Sequence, residues 1–285
     1  MSQLTPLKQK IKSIETTKKI THAVRLVSMS FYSRLERQNA SLQHYKKNIS
    51  QLFLQLIPHI PDWKNPILLP EDILDTTPLF IIISSAKGLC GSFNSNLFRY
   101  IERTFLIEEY QTPTFITIGQ KSTKFIIGKK WGEIETSFNE LTLSNIDSIS
   151  NNLTEKICGK KIYSSVTFYS NHLKNFFIQI PSKTILTPVN IEAEKNLQNK
   201  NNVEFIWEQS KEETLNYLVS RYLKSSILDL LFQSLISENA SRFLAMDSST
   251  TNAEKYLEKL TLQYNKSRQA LITQEVSELS TSLQK

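Results

Sequence analysis

The sequence predicts an α/β protein in which two long terminal helices pair as an antiparallel coiled coil and flank a central domain built on a small parallel sheet. Two observations predict it. Glycine and proline are confined: neither occurs between Pro6 and Pro58, all 6 glycines lie from Gly88 to Gly159, and neither occurs after Pro188. Such breaker-free ends point to long helices. Between them, apolar runs alternate with helical stretches, the pattern of strands joined by crossover helices. The division implied is 1–58 for the first coiled-coil helix, 75–190 for the hub and 211–285 for the last helix.

In the first segment Leu4, Leu7, Ile11 and Ile14 recur at spacings of three and four. A phase slip follows, after which Ile20, Val24, Val27, Phe31, Leu35, Gln38, Leu42, Tyr45, Ile49, Leu52 and Leu56 continue the alternation. That is the seam of a coiled coil. Thr5 and Pro6 supply a cap and a first-turn residue. At 1.5 Å per residue the helix would extend roughly 75 Å, so it is expected to project from any compact domain.

The last segment reads as helix from about Lys211, with an apolar stripe at Leu215, Leu218, Tyr222, Ile227, Leu231 and Leu235. Beyond Asn239 it thins to Phe243, Met246, Leu257, Leu260, Tyr264 and Leu271. Ser248 to Asn252 are poor helix formers, so an isolated helix would fray there. The segment therefore needs a partner, and the first helix is the candidate. In the middle, Leu79–Ser85 and Thr114–Ile118 read as buried strands followed by helical stretches Asn96–Glu109 and Lys121–Trp131. Ile162–Tyr169 and Phe176–Ile180 read as further strands.

Composition bounds the function classes. Hydrophobic content of 40% and charged content of 21% predict a soluble folded chain. No run of 18 apolar residues is present, and the first residues lack the apolar core of a signal peptide. Cys90 and Cys158 are too few for a disulfide framework and lack metal spacing. The net charge of +7 is uneven, since residues 1–50 hold ten Lys or Arg against Glu15 and Glu36. A solvated helix face is the ordinary meaning of such a run; an acidic partner is the functional one.

The stretch "SSAKGLCGSFNSN", Ser84 to Asn96, sits between a strand and a helix, where glycine-rich loops hold phosphates. Only Gly88 and Gly91 occur in it, spaced G-x-x-G, and Gln120 stands where a dinucleotide site places an acid. No Walker string exists, and Lys87 precedes the glycine instead of following the second. The expectation is a structural turn using left-handed backbone at these glycines. His22, His44, His59 and His172 lack ligand spacing, and no catalytic motif stands out. The expectation is therefore no catalytic residue, no cofactor and no metal.

Three stretches taken together resemble a known family: "IKSIETTKKITHAVRLVS" (Ile11–Ser28), "SSAKGLCGSFNSNLF" (Ser84–Phe98), and "SENASRFLAMDSSTTNA" with "LQYNKSRQALITQEVSEL" (Ser237–Ala253, Leu262–Leu279). In this order they resemble the gamma subunit of F-type ATP synthases over nearly the full chain; "YNKSRQALITQE" is the most specific string. The resemblance implies a rotor. Its terminal helices would penetrate a hexamer of alternating alpha and beta subunits, and its hub would sit against the epsilon subunit and the membrane c-ring, the sole link to the membrane. Nucleotide would be handled by the hexamer. The implied rotor contacts are Ile20, Thr21 and Val24 in the first helix, and Arg242, Arg268, Gln269, Thr273 and Glu275 in the last. Arg268 and Gln269 would hold a loop of a catalytic subunit. The basic first helix would face acidic loops of beta, and Arg221–Leu235 the partners of the hub. The implied location is the cytoplasmic face of a bacterial inner membrane.

The sequence departs from that family at Val24, where Met is usual, at Ser282 and Leu283, where Gly-Ala is usual, and at Asp247–Thr251, usually richer in alanine. Two other classes stay open. A nucleotide-binding α/β enzyme with coiled-coil arms would bind ATP or NAD alone. A basic coiled-coil protein for nucleic acid would show salt-sensitive binding.

Overall fold

The strand Leu79–Ile83 (β1) is buried at every residue because the hub covers the sheet on both faces. The structure, a computed structural model, describes residues 4–60, 63, 65–68, 77–105, 113–159, 161, 163–189, 205–207 and 210–282. Along the chain these form helix Leu4–Leu56 (α1), a 3₁₀ turn at Ile57–His59, β1, Phe93–Thr104 (α2), Thr114–Ile118 (β2), Gln120–Lys129 (α3) and Glu133–Phe138 (β3). Ile146–Ile157 (α4), the hairpin strands Val166–Asn175 (β4) and Ile178–Thr187 (β5), and helix Lys211–Ser282 (α5) complete it. The chain separates into two units, Met1–Ser30 with Arg242–Lys285, and Phe31–Ser241.

In the second unit the sheet order is β3-β2-β1-β4-β5. The first four strands are parallel, with Ile81 level with both Ile116 and Phe168. β5 is antiparallel to β4, so the expected parallel sheet is mixed: a two-residue connection can only reverse the chain. Alternate residues of β1 feed opposite cores. Leu79, Ile81 and Ile83 join Ile116, Ile118, Val166 and Phe168 under α4, the second half of α1 and the first part of α5. Phe80 and Ile82 face Leu97 and Ile101 of α2 and Ile126 of α3.

Several elements differ from the sequence reading. β3 and α4 lie outside the predicted elements; β3 is half-buried and polar, "EIETSF". The helix expected at Asn96–Glu109 is Phe93–Thr104; residues 106–112 lie outside those described, as does Ile162. The hairpin strands run longer than Ile162–Tyr169 and Phe176–Ile180. α5 is unbroken through Ser248–Asn252, and Thr250 there is 3% exposed. Tertiary pairing overrides low helix propensity at these residues.

The predicted phase slip in α1 does not exist. Burial follows one seven-residue repeat: Leu4, Leu7, Ile11, Ile14, Lys18, Thr21, Arg25 and Ser28 within the first unit, then Tyr32, Leu35, Asn39, Leu42, Lys46, Ile49, Phe53 and Leu56 within the second. The apolar residues that suggested a slip point outward, with Ile20 and Val27 each 55% exposed and Phe31 47%. Polar residues hold the seam where apolar ones were expected, and the outward apolar ones form a second stripe.

Candidate functional site

The hub loop comes first, because it decides whether this chain holds a phosphate. In open α/β sheets ligands sit outside the carboxyl ends of the strands, where the strand order reverses. Here that point lies beside β1 and β4. The loop after β1 fills it with its own groups. The Ser85 amide donates to Asn94 Oδ1 (3.0 Å), and Asn94 Nδ2 donates to Ser85 Oγ (2.7 Å). Asn171, 1% exposed, donates to the Phe93 carbonyl (3.3 Å), and Ser241 of α5 donates to that of Cys90 (2.8 Å). Left-handed backbone falls at Leu89 (φ 62°) and Gly91 (φ 56°), not at Gly88, where an added Cβ would meet nothing within 4 Å. Gly88 is therefore not required by conformation, contrary to expectation. Among the described residues no group of three or more His, Cys, Asp or Glu could hold a metal.

The first unit offers the other candidate surface. Its two helix segments run antiparallel, joined by Lys18–Glu254 (3.0 Å), Thr21–Thr250 (2.9 Å) and Arg25–Asp247 (2.7 Å), and Lys10 lies over the Tyr256 ring. Arg25 Nη2 also reaches His22 Nδ1 at 3.1 Å. Part of the basic excess of the first helix is thus spent within the chain. Lys18 and Arg25, two members of the basic run, pair with acids of α5. The same holds in the second unit for Lys46, whose Nζ lies 2.6 Å from Asp229.

The eight candidate contact residues are placed unequally. Ile20 points outward and Val24 is half-buried. Thr21 is 8% exposed and faces Thr250, so the coil takes its side chain. Arg242 is half-buried, while Arg268, Gln269, Thr273 and Glu275 are exposed. Continuing the register set by Thr21 and Thr250 puts Leu4 level with about residue 268. Gln269–Ser282 therefore runs past the first described turn of α1. Its apolar residues Ile272, Val276 and Leu279 are 47%, 60% and 64% exposed and share one helix face. Thr273 Oγ1 donates to the Gln269 carbonyl (2.9 Å), and Gln274 to Glu278. Leu283 lies outside the described residues.

A charge cluster that sequence reading missed ties β3 to the segment before β4. Glu135 accepts from Lys156 (2.9 Å), Lys161 (3.1 Å) and the Tyr163 hydroxyl (3.2 Å). Burial acts to raise the Glu135 carboxyl, but the hydrogen bonds and charges of Lys156 and Lys161 outweigh it and hold it below its usual value. Tyr163 is pushed up to about 12 by burial and then by the Glu135 charge. Tyr32 is likewise pushed up to about 12, by burial and by donating to Glu36. Only the fold brings these residues together, since no local spacing marks them.

The family model described as ATP synthase matches residues 3–284. A protein named ATP synthase gamma chain from Pelagibacter ubique is 31% identical over 295 residues, covering 98% of each chain. Another of that name from Vesicomyosocius okutanii is 32% identical, covering 96% of this chain and 95% of its own. Among solved structures, a chain from the OSCP/F1/c-ring of the Euglena gracilis mitochondrial ATP synthase superposes with a TM-score of 0.68 at 15% identity, covering 99% of this chain and 94% of that one. One from the central stalk and c-ring of the Tetrahymena thermophila mitochondrial enzyme gives 0.59 at 22% identity, covering 80% and 98%. At such identities these two likenesses establish the fold.

Proposed function

This chain belongs to the ATP synthase gamma-chain family, and from that premise we propose that it is the central rotor shaft of an F-type ATP synthase. It is a non-catalytic subunit. Its partners are the alpha and beta subunits around the shaft, and the epsilon subunit and c-ring at the hub. It couples rotation of the c-ring to nucleotide turnover in the hexamer by binding one conformation of each catalytic subunit better than another. None of the described helices is long and apolar enough to cross a membrane, so its membrane association runs through the c-ring. The bacterial relatives support a place at the cytoplasmic face of a bacterial inner membrane.

The observation that carries this reading is the antiparallel coil of the first unit, held by cross-helix pairs of charged and hydroxyl side chains and exposed along α5 from Ile272 to Ser280. We assign Arg268 and Gln269 to polar contacts with a catalytic-subunit loop, with Thr273 and Glu275 beside them nearer the tip. Ile20 and Val24 meet the hexamer from the first helix and Arg242 from the last, while Thr21 acts by setting the coil beneath them. A hub loop whose polar groups bind one another speaks against the nucleotide-binding enzyme, and cross-helix pairing of basic residues against the nucleic-acid protein.

Reconstitution tests this. Mixed with the alpha and beta subunits of its own organism, the chain should form a stable complex that turns over ATP, while the chain alone does not. Failure to assemble, or turnover by the isolated chain, would sink the assignment.

A further inference from the structure

Asp229 of α5 is the one buried carboxylate residue among the described residues, 6% exposed. It occupies a seam position of the hub's helix pair, between the buried Ser225 and Phe232. Its Oδ1 accepts from Gln43 Nε2 at 2.5 Å, and its Oδ2 from Lys46 Nζ at 2.6 Å. Gln43 and Lys46 lie three apart on α1, so both reach across from one face. Lys46 is itself a seam position, flanked by Leu42 and Ile49, which pack on the apolar core.

We propose that Asp229 and Lys46, with Gln43, form the register lock of the two helices in the hub. A seven-residue seam that is mostly apolar accepts pairings displaced by one heptad, roughly 10 Å along the axis. Displaced toward the start of α1, Asp229 would stand against Glu36 and Asn39; displaced the other way, against Ser50 and Phe53. Each alternative leaves a buried carboxylate without a cation, and one sets it against a like charge. The native register satisfies both oxygens. Stability alone does not explain the pair, because a buried ion pair is commonly no better than an apolar pair of similar size. Its use is specificity. In a rotor, a reading on which the functional half of this inference rests, helices that cannot slide past each other transmit rotation from hub to shaft.

The test compares Asp229→Leu with Lys46→Met, an apolar pair, and Asp229→Lys with Lys46→Asp, a swapped pair. Spin labels at exposed Ser41 and Arg221, in a chain with Cys158→Ser, report the axial offset of the helices. The wild-type and swapped chains should each give one narrow distance. The apolar pair should melt at or above the wild-type temperature yet give a broadened or second distance, displaced by several ångströms. In complexes with alpha, beta, epsilon and the c-ring, the apolar pair should lose ion pumping per ATP hydrolysed, and the swapped pair regain it. A narrow wild-type distance in the apolar chain, or a swapped chain that does not recover it, overturns the lock. Should the apolar pair fail to fold, Asp229→Asn, which removes the charge and keeps the shape, takes its place with the distance readout alone. Failure of the wild-type chain to assemble would instead sink the rotor reading and leave the distance result standing.

Discussion

At Gly119 one hydrogen decides whether the hub closes. Its φ of +93° disfavours any other residue, and a Cβ there would lie 2.1 Å from the Ser84 carbonyl oxygen. Ser84 in turn accepts from the Ser122 amide at 2.8 Å, joining the end of β1 to the start of α3. Gly119→Ala should therefore cost on the order of 3 kcal/mol or more, read as a lower urea midpoint with an unchanged slope. The Glu135 cluster sets a pH dependence. A carboxylate whose folded pKa is depressed contributes stability above its unfolded pKa and loses it as pH falls through the folded value. Glu135→Gln should thus be less stable than wild type at neutral pH, with the gap closing in acid. Tyr163 works oppositely: its folded pKa is raised from 10.0 to about 12, so its contribution holds below pH 10 and is lost as pH rises toward 12. Tyr163→Phe should flatten that alkaline limb in stability measured against pH.

In the paired helices, interior polarity replaces apolar packing. Thr21 donates to the Lys18 carbonyl, and the Thr250 hydroxyl lies 2.7 Å from the Met246 carbonyl, so each has a local partner besides the other. Replacing both partners by groups of similar shape is nearly neutral or stabilising, whereas removing Thr250 alone loses one buried hydroxyl contact while Thr21 keeps the Lys18 carbonyl. Thr21→Val with Thr250→Val should leave the melting temperature unchanged or raise it by a few degrees, and Thr250→Val alone should lower stability by about 1 kcal/mol. The ion pairs Lys18–Glu254 and Arg25–Asp247 are partly exposed, with side chains 26–48% accessible. Solvent screening limits each to well under about 1 kcal/mol, so Asp247→Ala should barely move the melting temperature.

As a whole, the molecule does mechanical work only through its partners, and its exposed tip is where function and stability separate. Arg268 and Gln269 are exposed and end level with the first turn of α1. Arg268→Ala and Gln269→Ala should therefore leave the chain's own melting temperature unchanged while lowering ATP turnover of the reconstituted complex. A coupling energy of about 1.4 kcal/mol would appear as a roughly tenfold loss. Equal turnover with either variant would remove that residue from the contact.

The sequence by itself determined the architecture and the family. Absence of glycine and proline over 7–57 and 211–285 permits long helices there, because nothing in those stretches breaks a hydrogen-bond ladder. The continuous apolar run of β1 dictates a strand covered on both faces. The string "YNKSRQALITQE" carries the family. Tertiary structure alone decided which of two apolar stripes on α1 is the seam. Lys18, Thr21 and Arg25 look like surface residues in isolation, and only the acids and hydroxyls of α5 opposite them make those positions interior. It alone put Asp229 against Lys46 across 183 residues of chain, and Glu135 within reach of Lys161 and Tyr163. Periodicity records how often a helix turns, but not which partner it turns toward, and a buried charge is stable only where the fold supplies its counter-charge.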